Sequence, residues 1–110
     1  AGHVRAEWVA PDRTKALEDM ILQFALMAGQ DSMRPDIEIS GVADAPERPG
    51  ARAGSVTARS GTGGRRYEAF LVPDPAGRGA VLLAFEYSFP DEPFRRHVLL
   101  PALRTLRFRE

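Results

Sequence analysis

The feature that most limits how this chain can fold is a run of ten residues, 80–89 (AVLLAFEYSF), that is apolar on both sides. With a period of two, Val81, Leu83, Phe85, Tyr87 and Phe89 share one face, and Ala80, Leu82 and Ala84 share the other until Glu86 and Ser88. Tyr67–Val72 repeats the pattern, with Tyr67, Ala69 and Leu71 opposite Phe70 and Val72. Pro73–Gly79 lies between them and has the composition of a turn, so the two runs read as a hairpin. A hairpin apolar on both sides must be covered on both sides. One helix against each face of an antiparallel sheet meets that demand. The expected fold is therefore α+β, an αβα sandwich with a central, mainly antiparallel sheet. Strands that close directly after residues 73–79 pair Val72 with Ala80. That register sets Tyr67 against Phe85, Leu71 against Val81 and Arg66 against Glu86.

The remaining elements follow from the same patterning. Val4, Ala6 and Trp8 alternate with His3, Arg5 and Glu7, giving a short strand with one apolar face. Residues 13–29 carry the best helical period: Leu17, Met20, Ile21, Phe24, Met27 and Ala28 form a core-facing stripe. Gly29 and Pro35 bound it. Leu22 and Leu26 fall on the far side of that helix, where solvent favours polar residues. Ile37 and Ile39 alternate as a second strand, 43–54 reads as a loop, Ser55–Arg59 as a third strand and Ser60–Gly64 as a turn. Asp91 and Pro93 open a closing helix through Phe94, Val98, Leu99 and Leu103, which Pro101 must kink or restart. Leu106–Arg109 reads as a last short strand. The expected order is β-α-β-β-β-β-α-β.

At 110 residues this is one domain, spanning 1–110. A chain of that size buries roughly two thirds of its unfolded surface, enough for a core without metal or disulfides. It has no cysteine, which removes thiolate zinc sites, disulfides and thiol nucleophiles, and leaves the compartment open: cytoplasm or a soluble part of an exported protein. Fifteen basic and fifteen acidic residues cancel, which argues against nucleic acid as the main partner. The first fifty residues hold five basic and nine acidic groups, and the rest hold ten and six. Fourteen of the fifteen basic residues are Arg, a bias that GC-rich coding produces and that also suits bidentate anion contacts. No apolar run approaches the ~18 residues of a membrane span.

Chemistry is sparse. Two histidines, His3 and His97, cannot make a metal site of familiar spacing. Ala1-Gly2-His3 has the donors of a square-planar Cu(II) site only if Ala1 is the true terminus. Gly61, Gly63 and Gly64 precede Arg65 and Arg66, but a phosphate loop requires a Gly-Lys-Ser/Thr ending and a following helix. Asp91 and Glu92 are explained by capping. Arg65, Arg66, Arg95, Arg96, Arg104, Arg107 and Arg109 can form a basic face, paired in part with Glu68 and Glu86. No catalytic residue, cofactor or metal is implied.

Gly50-Ala51-Arg52, Arg66–Val72 (RYEAFLV), Ala80–Tyr87 (AVLLAFEY), Phe94 and Pro101–Phe108 (PALRTLRF) together resemble the PsbP-like superfamily. That group takes in photosystem II extrinsic subunits, Ran-binding import factors and Eag-type secretion chaperones. The likeness covers roughly residues 37–108 and is a pattern of apolar positions and turns. It implies an αβα sandwich and a non-catalytic binding role, and it carries over no functional residue. Members of that group usually have an extra hairpin before the strand placed here at Val4–Trp8, and its absence is expected of a truncated or variant member. The expected function is a protein-binding adaptor or chaperone-like domain, with a protein partner or a second copy as occupant. Its partner-binding residues are Leu22, Leu26, Arg65 and Arg66. The alternative is a small-ligand-binding or enzymatic domain with a pocket between sheet and helix.

Overall fold

The computed structural model describes residues 2–30 and 36–109. Five strands form one antiparallel sheet: β1 (Gly2–Val9), β2 (Asp36–Asp44), β3 (Arg52–Ser60), β4 (Gly63–Pro73) and β5 (Ala80–Phe89). Their order is β1-β5-β4-β3-β2, so the two-faced strands β4 and β5 lie inside and β1 and β2 are the edges. Helix α1 (Ala16–Gln30) covers one face. The other is covered by a C-terminal helical run made of α2 (Glu92–Phe94), a π-helical turn (Arg95–Leu99) and α3 (Leu100–Thr105).

Two cores result. Under α1, Leu17, Met20, Ile21, Phe24 and Ala28 meet Val56, Tyr67, Ala69, Leu82 and Ala84. Under the C-terminal run, Leu99 and Leu103 meet Phe70, Val72, Leu83, Phe85 and Tyr87. Ile21 of α1 packs directly over Gly54 of β3. A Cβ there would stand 2.1 Å from Ile21 Cδ1. Met27, placed by its spacing in the core stripe, is 43% exposed. It lies on the flank of α1 that faces β1, beside a shallow groove that His3, Arg5 and Ala84 also line.

The hairpin register differs from the expected one by a single residue. Val72 pairs with Val81, Tyr67 with Glu86, Leu71 with Leu82 and Arg66 with Tyr87. Pro73 belongs to the strand and pairs with Ala80, and the turn closes one residue later through Asp74 N–H donating to Gly79 O at 2.8 Å. Asp74 sets this turn. Its buried carboxylate accepts from Ala76 N–H at 2.9 Å and from Arg78 Nε at 2.6 Å. A one-residue slip exchanges faces. The observed register puts Phe70, Val72, Val81, Leu83 and Phe85 on one side and keeps Tyr67 with Leu82 and Ala84 on the other.

The second correction is at the C-terminus. Residues 106–109 join no strand, so the order of described elements ends on the helical run. Leu106 and Phe108 pack against the second core, and arginine side chains take up the main-chain carbonyls. Arg48 Nη1 donates to Leu103 O and Leu106 O, both at 2.8 Å, and Arg78 Nη2 donates to Arg109 O. Arg48 sits in the 45–51 loop, which is shorter than the expected 43–54 because β2 and β3 both extend further. Pro101 restarts the helix as expected. It lies in the first turn of α3, and the π turn before it carries Leu100 N–H to Arg95 O. An uninterrupted α-helix would press the proline ring on the carbonyl four residues back.

Two outcomes follow. Phe85 is fully buried and edge-on to Phe70 at 5.9 Å, so Phe85→Ala should cost about 3–5 kcal/mol in denaturant melts. The Arg78 hydrogen bond, and then the Ala76 N–H, hold the Asp74 carboxyl below its ordinary 3.8. A lowered carboxylate stabilises the fold above its unfolded value and ceases to as pH falls through the folded one. Asp74→Asn should therefore be less stable than wild type above pH 3.8, and the gap should narrow as pH falls further below that value.

Candidate functional site

The most concentrated polar group in the molecule lies between the sheet and the start of the C-terminal run. On β4, residues 66, 68, 70 and 72 point to that side, so Glu68 enters the layer that holds Phe70. It is 4% exposed. A buried carboxylate needs partners, and three converge on it. Tyr87, on β5, donates its hydroxyl to Glu68 Oε2. Arg95, on the π turn, donates from Nε to Oε2 at 3.3 Å and from Nη2 to Oε1 at 3.4 Å. Arg66 places Nε 3.6 Å from Oε2 without a hydrogen bond there, while its Nη1 donates to Thr57 Oγ1 at 3.1 Å. Arg95 reaches on to Glu47 Oε2 at 2.8 Å. Phe94 stacks on the Tyr87 ring at 4.9 Å and closes the layer from above.

Burial shifts the Tyr87 phenol well above its ordinary 10.0, and the bond to Glu68 adds to the shift. Burial opposes the charge on Arg95, but Glu68 and Glu47 outweigh it and hold the guanidinium above its ordinary value. The cluster is charge-balanced, with two arginines against two glutamates. Each carboxylate already binds an arginine. Open clefts flank it on either side. One of about 280 Å³ is lined by Arg66, Tyr87, Phe89 and Arg95, and one of about 260 Å³ by Ser55, Arg66, Glu68 and Arg95. Both fall just below the usual range for small-molecule pockets, roughly 300–1,000 Å³.

The structure distributes the expected partner-binding residues over separate surfaces. Arg65 and Arg66 are neighbours on β4 and point to opposite faces. Arg65 pairs with Glu86 at 3.0 Å on the α1 side, and Arg66 joins Glu68 on the other. Leu22 and Leu26 lie together on the outer face of α1, 60% and 61% exposed. Arg95 is drawn into the cluster, away from the basic face it was grouped with. The turn between β3 and β4 is only Gly61 and Thr62, shorter than the expected Ser60–Gly64, and Gly63 and Gly64 open β4 opposite Ser60 and Arg59. Ala1 lies outside the described residues, and with it the amine of the Cu(II) arrangement. Among the described residues, no group of three or more His, Cys, Asp or Glu side chains is placed to hold a metal. No described helix is long and apolar enough to cross a membrane.

Sequence reasoning missed the cluster's other members, Glu47, Thr57 and Tyr87. One signal was present. Glu68 shares strand parity with Phe70 and Val72, so in a sheet covered on both faces it was bound to be an inner carboxylate. No protein-family model matches this chain, and no curated protein matches it.

Glu68→Gln leaves two arginines facing a neutral group. Breaking a buried ion pair costs about 3–5 kcal/mol, and partial exposure of both arginines should bring this to about 2–3 kcal/mol. Tyr87→Phe should cost about 1–2 kcal/mol at pH 7. A raised phenol stabilises the fold below its unfolded value and ceases to as pH rises toward the folded one. Wild type should thus lose stability above pH 10.0, and Tyr87→Phe should lack that part of the loss in chemical melts at graded alkaline pH.

Proposed function

We propose that this chain is a non-catalytic protein-binding domain, an adaptor or chaperone-like module of the PsbP-like kind, and that the outer face of α1 receives an apolar partner segment. The supporting observation is the exposure of Leu22 and Leu26, one helical turn apart, on a helix whose opposite face already anchors it to the sheet. Single exposed apolar residues are ordinary. A pair one turn apart on the same face is the start of a helix-docking or self-docking surface. The polar cluster adds support of a different kind. Its acids and bases are committed to one another, as a structural clamp requires, and leave no general acid or base poised for chemistry.

The test is a pair of substitutions at exposed sites. Leu22→Glu with Leu26→Glu should leave the far-UV circular dichroism and melting temperature near wild type. Amphipathic helical peptides selected against the wild-type domain should lose at least about tenfold in affinity, since each buried leucine contributes about 1.5–3 kcal/mol. Selected peptides that bind the double variant equally well would overturn the assignment of this face. Saturable binding of small polar ligands at the Arg66–Arg95 clefts, abolished by Arg66→Gln, would favour the ligand-binding alternative.

A further inference from the structure

We infer that the free edge of β1 is a self-pairing surface, on which a second copy of this chain adds its own β1 antiparallel across a two-fold axis at Ala6. This surface is separate from the outer face of α1, so the idea goes beyond the function proposed above and can fail without it.

β1 is an edge strand with an uninterrupted ladder. All eight residues pair in sequence with β5, from Gly2 opposite Tyr87 to Val9 opposite Ala80. Its other side has no partner strand among the described residues, and such an edge is the usual template for strand addition. Edge strands are normally protected by bulges or like charges. The opposite edge has both. β2 breaks register between Ser40 and Ala43, and its charged residues, Asp36, Glu38 and Asp44, are all acidic, so self-pairing there brings acid against acid. β1 has neither protection.

Its sequence is complementary to itself. Val4-Arg5-Ala6-Glu7-Trp8 reads apolar, basic, small, acidic, apolar about its centre. With Ala6 on the axis, Arg5 lies opposite Glu7 of the second copy, Glu7 opposite Arg5, and Val4 opposite Trp8. Opposite charges and an aromatic–β-branched pair are the cross-strand combinations that stabilise antiparallel sheets. The two faces stay distinct. Val4, Ala6 and Trp8 align with Phe85, Leu83 and Val81 on the side of the C-terminal run, whereas Arg5 and Glu7 align with Ala84 and Leu82 on the α1 side.

The side chains are also free to be used. The apolar face of β1 was legible in the sequence, and the described residues cover it only in part: Val4 is 48% exposed and Trp8 52%. The Trp8 ring is held in place against Gly79, where a Cβ would stand 2.7 Å from it. Arg5 has no carboxylate partner among the described residues, its one polar contact being Met20 Sδ at 3.3 Å. Glu7 binds Arg13 at 2.9 Å in a solvent-exposed pair that is easily shared. Strand pairing alone buries less than the ~1,200 Å² of a stable interface, so dissociation on the order of 100 µM is expected.

Sedimentation equilibrium of the protein from about 10 µM to 1 mM should show a monomer–dimer equilibrium, with the emission of Trp8, the sole tryptophan, moving to the blue as dimer forms. Arg5→Glu and Glu7→Arg each set like charges opposite one another twice and should weaken association about tenfold or more. The double variant Arg5→Glu/Glu7→Arg restores the pairs and should return association to within about threefold of wild type. Circular dichroism confirms that each variant is folded. Any one of four results overturns the inference: a monomer at 1 mM with emission independent of concentration, equal association in all variants, no rescue by the double variant, or mass that keeps growing. The last would indicate β1 on β2 in an open chain.

Discussion

The molecule depends on β4 and β5 being buried on both faces. A sheet with one wet face needs only one helix and tolerates one core. Here Phe85 and Ala84, adjacent in sequence, belong to different cores, as do Phe70 and Ala69. Neither core forms without the shared strands. Removing either helix would expose a full layer of apolar side chains, at about 25 cal/mol per Å². The sides of the sandwich are unequal. The α1 face has small residues on its inner strands, Ala69, Ala80 and Ala84, and bulk on the helix. The opposite face has Phe70, Phe85 and Tyr87 on the strands and Leu99 and Leu103 on the helical run.

A second constraint follows from the first. A strand covered on both faces has no wet side on which to place a charge, so Glu68 can exist only as part of a network. The network ties β4, β5 and the π turn through the Glu68 carboxylate, and Arg95 extends it to Glu47 in the 45–51 loop. Ion pairs of this kind add little net stability over an apolar core of the same shape, but they discriminate strongly against wrong arrangements. Only one seating of the C-terminal run brings Arg95 to both Glu47 and Glu68.

The elements legible in the sequence are those whose periodicity is reinforced by burial. β5 runs from Ala80 to Phe89 as its pattern indicates, and the stripe of α1 is right except for Met27. Register was misread because Pro73 looks like a turn residue. At a strand end its missing N–H costs nothing, and Asp74 does the turning. The last strand was misread because Leu106 and Phe108 alternate as a strand would, while the carbonyls of Leu106 and Arg109 are met by the distant Arg48 and Arg78, which no local pattern reveals. The β2 and β3 ends were read short because Ala, Gly and Arg carry weak strand signals that the ladder overrides. The exposed leucines of α1 follow from periodicity, and the inward placement of Glu68 from strand parity. Glu47 and Thr57, far from Glu68 in sequence, do not.

The grip of Arg48 on the carbonyls of Leu103 and Leu106 has a wider consequence. A guanidinium that binds main-chain oxygen is indifferent to the side chain that oxygen belongs to. The tail can therefore drift in sequence wherever it keeps its two apolar contacts, while the loop arginine that holds it cannot. Arg48, and not the identity of the tail's side chains, thus fixes where the helical run ends.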